Sequence, residues 1–195
     1  MSSQRLFHGD LIRLAAPRPE DAEVLSRWSE DGEYRRAMDT DAARPLPTEV
    51  FAERDQVSEA SAGAYEFRVR TVQDDRLVGF VAIFSIEWPN SHGWIAVGIG
   101  DADDRGKGFG KEATSLGLRY AFHELGLRRL SLDVIADNLP AIALYRGLGF
   151  REEGRLRERL YRDGHTTDLI YMGLLRRDWE SGIRPSSSRS EPGQD

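Results

Sequence analysis

The sequence predicts a fold of the mixed α/β (or α+β) class, and three patterns along the chain support this. Short apolar or alternating segments, typical of strands, are separated by segments whose apolar residues recur with helical periodicity. A strand, a glycine-rich loop, a helix and another strand follow one another between residues 94 and 135. Near the end of the chain, Asp163-Gly164 predicts a tight turn between two strands. This order of elements is typical of domains that combine a sheet with helices.

The first half of the chain is predicted to contain four strands, at residues 11–14, 65–70, 77–84 and 94–99. Strict alternation from Tyr65 to Arg70 predicts a strand with one buried and one exposed face. A helix is expected to begin between residues 17 and 20, with acidic residues in its first turn. Residues 31–61 are less periodic and contain Pro45 and Pro47, so we expect a loop and one short helix there.

The second half of the chain begins with a strongly amphipathic helix. Its apolar face is formed by residues at helical spacing, namely Phe109, Ala113, Leu116 and Tyr120. A neighbouring apolar stripe of Leu118, Phe122 and Leu125 predicts that the helix is buried around much of its circumference. Gly126 is expected to end the helix. A strand at residues 130–135 follows. Asn138 then provides the N-cap of a short helix that tolerates Pro140 in its first turn and stops near Gly147.

The hairpin and the tail complete the chain. Strands are predicted at residues 150–161 and 167–174, on either side of the Asp163-Gly164 turn. Residues 184–195 are poor in apolar side chains, so we expect a disordered tail after one domain that spans residues 1–183.

The composition excludes several kinds of protein. The chain of 195 residues contains no cysteine, which excludes disulfides, thiolate metal sites and a cysteine nucleophile. Its four histidines show no metal-ligand spacing, so we expect no metal. A net charge of −6 disfavours nucleic acid as the main partner. Because the chain shows neither a membrane-length apolar run nor the apolar core of a signal peptide, we expect a cytoplasmic location without a membrane partner.

The glycine-rich loop has the features of an anion site. Gly106, Gly108 and Gly110 lie between a predicted strand and the start of a helix, where backbone N–H groups have no partner within the helix. Glycines allow an anion to approach the backbone closely, and Arg105 and Lys107 add positive charge. The alternative is a tight strand-to-helix turn with a charged rim.

Two segments resemble the signatures of the GNAT N-acetyltransferases. The loop from residue 105 to residue 110, RGKGFG, resembles the family's pyrophosphate loop R/Q-x-x-G-x-G/A. The segment from residue 138 to residue 150, NLPAIALYRGLGF, is similar to the second signature N-x-x-A-x-x-L-Y-x-x-x-G-F. Residues 9–14, 155–158 and 163–165 resemble the RimJ/RimL-like branch, which contains ribosomal-protein N-terminal and polyamine-type acetyltransferases. The resemblance covers roughly residues 9 to 180.

The resemblance implies a fold and a site for acetyl-CoA. The fold is a mixed, mostly antiparallel sheet of about seven strands flanked by helices, with a splayed parallel pair that forms the acetyl-CoA cleft. The pantetheine arm is expected to pair with the backbone at Val97 and Ile99, and Asn138 to contact this arm in addition to capping its helix. Gly98 is either a bulge that opens the cleft or a packing glycine. The pyrophosphate is expected to bind the loop residues Arg105, Gly106, Lys107, Gly108, Phe109 and Gly110.

The resemblance also implies direct attack of an amine on the thioester in a ternary complex. Tyr145 matches the position of the family's general acid toward the departing thiolate, with simple packing on the sheet as the alternative. Asp133 aligns with a glutamate that serves as base in some N-terminal acetyltransferases, and burial would raise its pKa. Two alternatives to Asp133 as the base stay open, namely Glu87 and deprotonation through ordered water. In either case Asp133 would have only a local structural role.

The expected function is therefore acetyl transfer from acetyl-CoA to a primary amine. A protein N-terminal amine is the first choice of acceptor, and a polyamine or another small amine, including an antibiotic, is the second. The alternative from a different functional class is a regulatory module that binds acyl-CoA without catalysis. The branch resemblance also implies a homodimer.

Overall fold

The computed structural model describes residues 6–60 and 63–183. Within these ranges lie seven strands: β1 (Ile12–Ala15), β2 (Tyr65–Thr71), β3 (Leu77–Glu87), β4 (His92–Ile99), β5 (Arg129–Ile135), β6 (Arg151–Arg162) and β7 (His165–Leu175). The α-helices in the same ranges are α1 (Asp21–Ser29), α2 (Gly32–Met38), α3 (Thr48–Ala60), α4 (Phe109–Arg119), α5 (Leu139–Gly147) and α6 (Arg176–Ile183). None of these helices is long and apolar enough to cross a membrane.

The strands form one seven-stranded sheet in the order β1-β2-β3-β4-β5-β7-β6. All neighbours are antiparallel except β4 and β5, which are parallel. The predicted mixed and mostly antiparallel sheet is therefore confirmed. The tight turn between β6 and β7 is also confirmed, because Asp163 and Gly164 have φ values of 52° and 79°.

The two faces of the sheet carry separate apolar clusters. Val81 and Ile83 of β3 pack with α4, α5 and the buried side chains of β5 and β7. Phe80 and Ala82, which alternate with them, face the other side, toward the helices α1–α3. The prediction that α4 is buried around much of its circumference is confirmed, and the helix continues through a π-helical turn at Tyr120–Glu124.

Several elements differ from the sequence prediction. The segment after α1 is more helical than expected, because Asp31 caps α2 through the N–H groups of Glu33 and Tyr34, and α3 begins directly after Pro47. The short α6 after β7 was not predicted. The expected tail at residues 184–195 lies outside the described residues.

The prediction that β2 has one exposed face is wrong. Arg68 and Arg70 are buried, with relative exposures of 0% and 4%, because α1 covers that face and brings the buried carboxylate of Asp21 to them. Asp21 forms an ion pair with Arg70 and lies 3.7 Å from Arg68 Nε, while Arg68 also donates to Glu66 Oε1 at 2.5 Å. Three buried charges thus connect α1 to the sheet.

The substitution Asp21→Asn removes the carboxylate and leaves two buried guanidinium groups without full compensation. We expect the free energy of unfolding, measured by urea denaturation, to fall by roughly 3–5 kcal/mol. Asp75→Asn is the matched control, because Asp75 also pairs with two arginines, Arg13 and Arg18, but its side chain is 45% exposed. For that variant we expect a loss of about 1 kcal/mol or less. Equal losses in the two variants would show that burial does not strengthen the Asp21 cluster.

Candidate active site

The parallel strands β4 and β5 separate soon after they begin. Their register runs from His92↔Arg129 to Trp94↔Ser131 and then stops. Beyond that point β4 stays paired with β3, and β5 stays paired with β7 to its end. A cavity of about 170 Å³, here called the cleft cavity, lies where the strands diverge. Its lining includes residues 95–97 of β4, residues 133–135 of β5, the N-cap residue Asn138, and Ala141 and Tyr145 of α5.

The backbone of β4 presents hydrogen-bonding groups to this cleft. Gly100 donates its N–H to Val78 O at 3.0 Å, so the even-numbered residues of β4 turn their backbone groups toward β3. Val97 and Ile99 therefore turn theirs toward the side where β5 has moved away. An extended ligand can pair with such a strand edge by β-strand addition.

The proposed bulge at Gly98 is wrong. The register between β3 and β4 is continuous through Phe80↔Gly98, and its irregularity lies farther along, between Phe84 and Glu87. A Cβ at Gly98 would lie 2.6 Å from the Phe80 ring. Gly98 is thus a packing glycine, and divergence of two strands, rather than a bulge at Gly98, opens the cleft.

The glycine-rich loop leads into α4 with its backbone donors free. Gly106 and Gly108 have φ values of +76° and +91°, which favour glycine strongly, and Gly108 is the N-cap without a side-chain cap. No described residue accepts a hydrogen bond from the N–H groups of residues 106–110. The N–H of Arg105, by contrast, donates to Ala102 O at 3.1 Å. The donor set therefore begins at Gly106, at the positive end of the helix dipole.

The two basic side chains of this loop are already engaged. Arg105 donates to Gly100 O at 2.7 Å and to Asp31 at 3.3 Å, and its guanidinium lies 5.7 Å from the centre of the Tyr34 ring. It joins the loop to α2 in this structure. The Nζ atom of Lys107 lies 3.5 Å from Asp104 and remains largely exposed. The backbone N–H groups are thus the donors of this loop that no described residue engages.

Asn138 and Tyr145 lie together on the α5 side of the cleft cavity. The predicted N-cap is confirmed, because Asn138 Oδ1 accepts the N–H of Ala141 at 3.2 Å. The Tyr145 ring is buried and packs edge-on against Phe150, with 5.7 Å between ring centres. No side chain or backbone group of the described ranges hydrogen-bonds its hydroxyl. Burial, aided by the negative charge of Asp133, raises the pKa of Tyr145 to about 12, so the phenol stays protonated at neutral pH.

A larger cavity of about 590 Å³ lies between the sheet and the helices α1–α3. Its apolar lining includes Leu25, Met38, Phe51, Phe80 and Phe84. Its charged lining consists of Arg35, Asp39, Arg54, Glu66, Arg68 and Asp133. The cavity is thus apolar with charges of both signs, which is typical of a site that orients a small polar molecule.

Asp133 lies where the large cavity and the cleft cavity meet, because it lines both. Its side chain is exposed to the cavity space rather than fully enclosed in the apolar strand. Partial desolvation nevertheless raises its pKa, and the negative charge of Asp39 raises it further. Glu87 lines neither cavity and accepts a hydrogen bond from Asn90 at 2.8 Å. The geometry therefore favours Asp133 over Glu87 as a base.

The segment Met38–Thr40 was not singled out from the sequence, yet it lines both cavities. Arg162 of the hairpin β6–β7 fixes this segment and its neighbours by hydrogen bonds. Arg162 donates to the carbonyl groups of Arg36 and Asp39, at 2.6 Å each, and to that of Asp41 at 3.2 Å. The Arg36 carbonyl belongs to the last turn of α2, and those of Asp39 and Asp41 follow the helix, where carbonyl groups lack helical partners. The weak periodicity of residues 31–61 gave no signal for this role.

Comparison with known proteins identifies the class. A family model described as an acetyltransferase (GNAT) domain matches residues 12–151, so the chain belongs to the GNAT acetyltransferases. YokL, an uncharacterized SPbeta prophage-derived N-acetyltransferase of Bacillus subtilis, is 32% identical over 173 residues, which cover 88% of this chain and 94% of YokL. YdaF of the same species, a putative ribosomal N-acetyltransferase, is 34% identical over 107 residues, which cover 55% of this chain and 58% of YdaF.

A solved structure supports the same fold. The spermidine N-acetyltransferase of Vibrio cholerae in complex with CoA and spermine superposes with a TM-score of 0.79 at 22% identity, over 88% of this chain and 99% of that one. The protein is an acetyl-CoA-dependent N-acetyltransferase. Within the described ranges, no group of three or more His, Asp or Glu side chains is placed to hold a metal ion.

The substitution Gly108→Val tests the anion loop. A β-branched residue at φ +91° distorts the first turn of α4, so we expect the affinity for acetyl-CoA, measured by calorimetry, to fall by roughly tenfold or more. The control is Gly126→Val, which imposes similar backbone strain at φ +68° with no atom within 4 Å of the added Cβ. That variant should lose stability but keep its affinity. Unchanged affinity in Gly108→Val would remove the loop from the acetyl-CoA site.

Proposed function

We propose that the acceptor amine enters through the large cavity and reaches the thioester at Asp133. The observation that supports this is the position of Asp133, which lines both the large cavity and the cleft cavity. The cleft would offer to acetyl-CoA the edge of β4 that β5 leaves, where Ile99 O also accepts from Arg105 Nε at 3.4 Å, and the donors of residues 106–110. The large cavity is then left for the second substrate.

The acetyl donor is proposed to bind along the backbone of β4. Val97 and Ile99 would pair with its pantetheine arm, and Asn138 would contact the same arm from α5. The N–H groups from Gly106 to Gly110 would bind the pyrophosphate. This arrangement would direct the thioester toward the junction of the two cavities.

The two titratable side chains at the junction have complementary proton roles in this proposal. Acetyl-CoA supplies an acetyl group activated as a thioester. Asp133 accepts a proton from the incoming ammonium group, directly or through water, so that the neutral amine can attack the acetyl carbon. Tyr145 donates its hydroxyl proton to the sulfur as the carbon–sulfur bond breaks. The nitrogen loses a second proton as the amide forms, and this proton restores the Tyr145 hydroxyl through solvent. Asp133 releases the first proton to solvent, so each turnover frees one proton in total.

The acceptor is proposed to be an α-amine, such as a protein or peptide N-terminus. An α-amine with a pKa of about 8 is roughly a tenth neutral at pH 7, whereas an alkylamine with a pKa of about 10.4 is neutral only about once in two thousand molecules. The large cavity also has little excess negative charge, because Arg68 pairs with Glu66 while Arg35 and Arg54 add positive charge. A polycationic acceptor would therefore gain little electrostatic attraction from this cavity.

A polyamine acceptor is the second candidate, because the superposed Vibrio cholerae enzyme is a spermidine acetyltransferase. The experiment is thiol release from acetyl-CoA with a panel of free-N-terminal peptides, spermidine, spermine and an aminoglycoside, followed by mass spectrometry of the products. We expect acetylation of peptide N-termini. Faster acetylation of spermidine would establish the second candidate, and acetyl-CoA binding without any thiol release would indicate a non-catalytic module.

The pH profiles of Tyr145→Phe and Asp133→Asn test the two proton roles. Because the pKa of Tyr145 is about 12, its hydroxyl is protonated throughout the assay range, so Tyr145→Phe should lower kcat by the same factor at every pH. We expect that factor to be roughly a hundred or more, with acetyl-CoA affinity retained. The raised pKa of Asp133 means that its base function is lost as pH falls through that value. Asp133→Asn should remove this acidic limb and lower kcat/KM at neutral pH.

Glu87→Gln is the control for Asp133→Asn, since Glu87 is a carboxylate outside both cavities, and it should behave as the unsubstituted protein. Full activity in Tyr145→Phe would reassign Tyr145 to packing. Full activity in Asp133→Asn would leave ordered water as the proton acceptor.

A further inference from the structure

Arg35 stands apart from the other charged residues of the large cavity. Its side chain lines the cavity and is only 18% exposed. No acceptor within the described residues hydrogen-bonds its guanidinium, and its Nε atom is buried without a partner. The nearest carboxylate oxygen that pairs with it belongs to Asp39, at 4.0 Å, which is beyond hydrogen-bond distance.

The guanidinium group of Arg35 is only partly satisfied. Its Nε–H donor is removed from water without an acceptor, which is costly, and its nearest carboxylate partner lies at 4.0 Å. The neighbouring arginines differ in their partners or exposure, because Arg68 donates to Glu66 and lies 3.7 Å from Asp21, and Arg54 keeps 63% of its side chain exposed. The hydrogen-bonding capacity of Arg35 is therefore available to whatever fills the cavity.

We propose that Arg35 binds a carboxylate carried by the amine acceptor, so that the acceptor has an ammonium group and a carboxylate on one molecule. This inference rests on the proposed function, in which the amine reaches Asp133 through the large cavity. A planar guanidinium recognises a carboxylate through two parallel hydrogen bonds, and both are stronger than bonds between neutral groups.

The charges along the cavity match such a molecule. Asp133 provides a negative charge for the ammonium group, and Arg35 provides a positive charge for the carboxylate. Asp39 lies beside Arg35, with 4.0 Å between the carboxylate and the guanidinium. The volume of about 590 Å³ is in the range of pockets that enclose an amino acid or the first residues of a peptide. The carboxylate has two possible sources, the side chain of an N-terminal Asp or Glu, or the α-carboxylate of a free amino acid.

The experiment compares kcat/KM for matched pairs of acceptors. One arm uses C-terminally amidated peptides that begin with Asp or Glu against the same peptides that begin with Asn or Gln. The other arm uses free amino acids against their amides. We expect the carboxylate member to be preferred by roughly ten- to a hundredfold in one arm, and that arm identifies the source of the carboxylate.

The variant Arg35→Met should abolish this preference while acetyl-CoA affinity stays unchanged, and Arg35→Lys should restore part of the preference. Arg159→Met is the matched control, because Arg159 lies exposed on β6, away from the residues that line the large cavity, and should keep the full preference. If Arg35→Met does not fold, Arg35→Gln replaces it, and the comparison in the unsubstituted protein stands by itself.

The outcomes separate this inference from the proposed function. Acetylation of amines without any preference for a carboxylate would overturn the role of Arg35 and leave the proposed function intact. A preference that persists in Arg35→Met would also overturn it. If no amine in any arm is acetylated, the proposed function fails and the inference fails with it.

Discussion

The separation of β4 from β5 after Trp94 governs how this protein works. Each strand keeps its other neighbour, so the sheet remains intact while one strand edge in its interior stays unpaired. Unpaired backbone groups inside a sheet are costly unless a ligand binds them. The divergence therefore supplies the space and the backbone groups on which the proposed acetyl-CoA site depends, and the cleft cavity shares Asp133 with the large cavity.

The candidate site combines parts that pack on two different apolar clusters. The proposed donor side consists of a strand edge and the first turn of α4, which pack against the main apolar cluster. The proposed acceptor side is built from α1–α3 and their own smaller cluster, and Arg105 and Arg162 join it to the loop and to the hairpin.

The fold class, all seven strands and the glycine-rich loop could be predicted because their signals are local. Periodicity marks strands and helices, and glycine at a positive φ marks the loop at Gly106 and Gly108. The burial of Arg68 and Arg70 could not be predicted, since alternation along β2 does not show that α1 brings Asp21 over the polar face. The same limit applies to Met38–Thr40, whose position depends on Arg162, far away in sequence.

The sequence by itself determined the family and the acetyl donor, because both follow from short motifs with local backbone geometry. Only the tertiary structure decided that Asp133 is open to two cavities, that Gly98 packs rather than bulges, and that Arg35 is enclosed without a hydrogen-bond acceptor among the described residues. These properties arise from contacts between segments distant in sequence, and no local pattern specifies the solvent exposure or the charge environment that such contacts create.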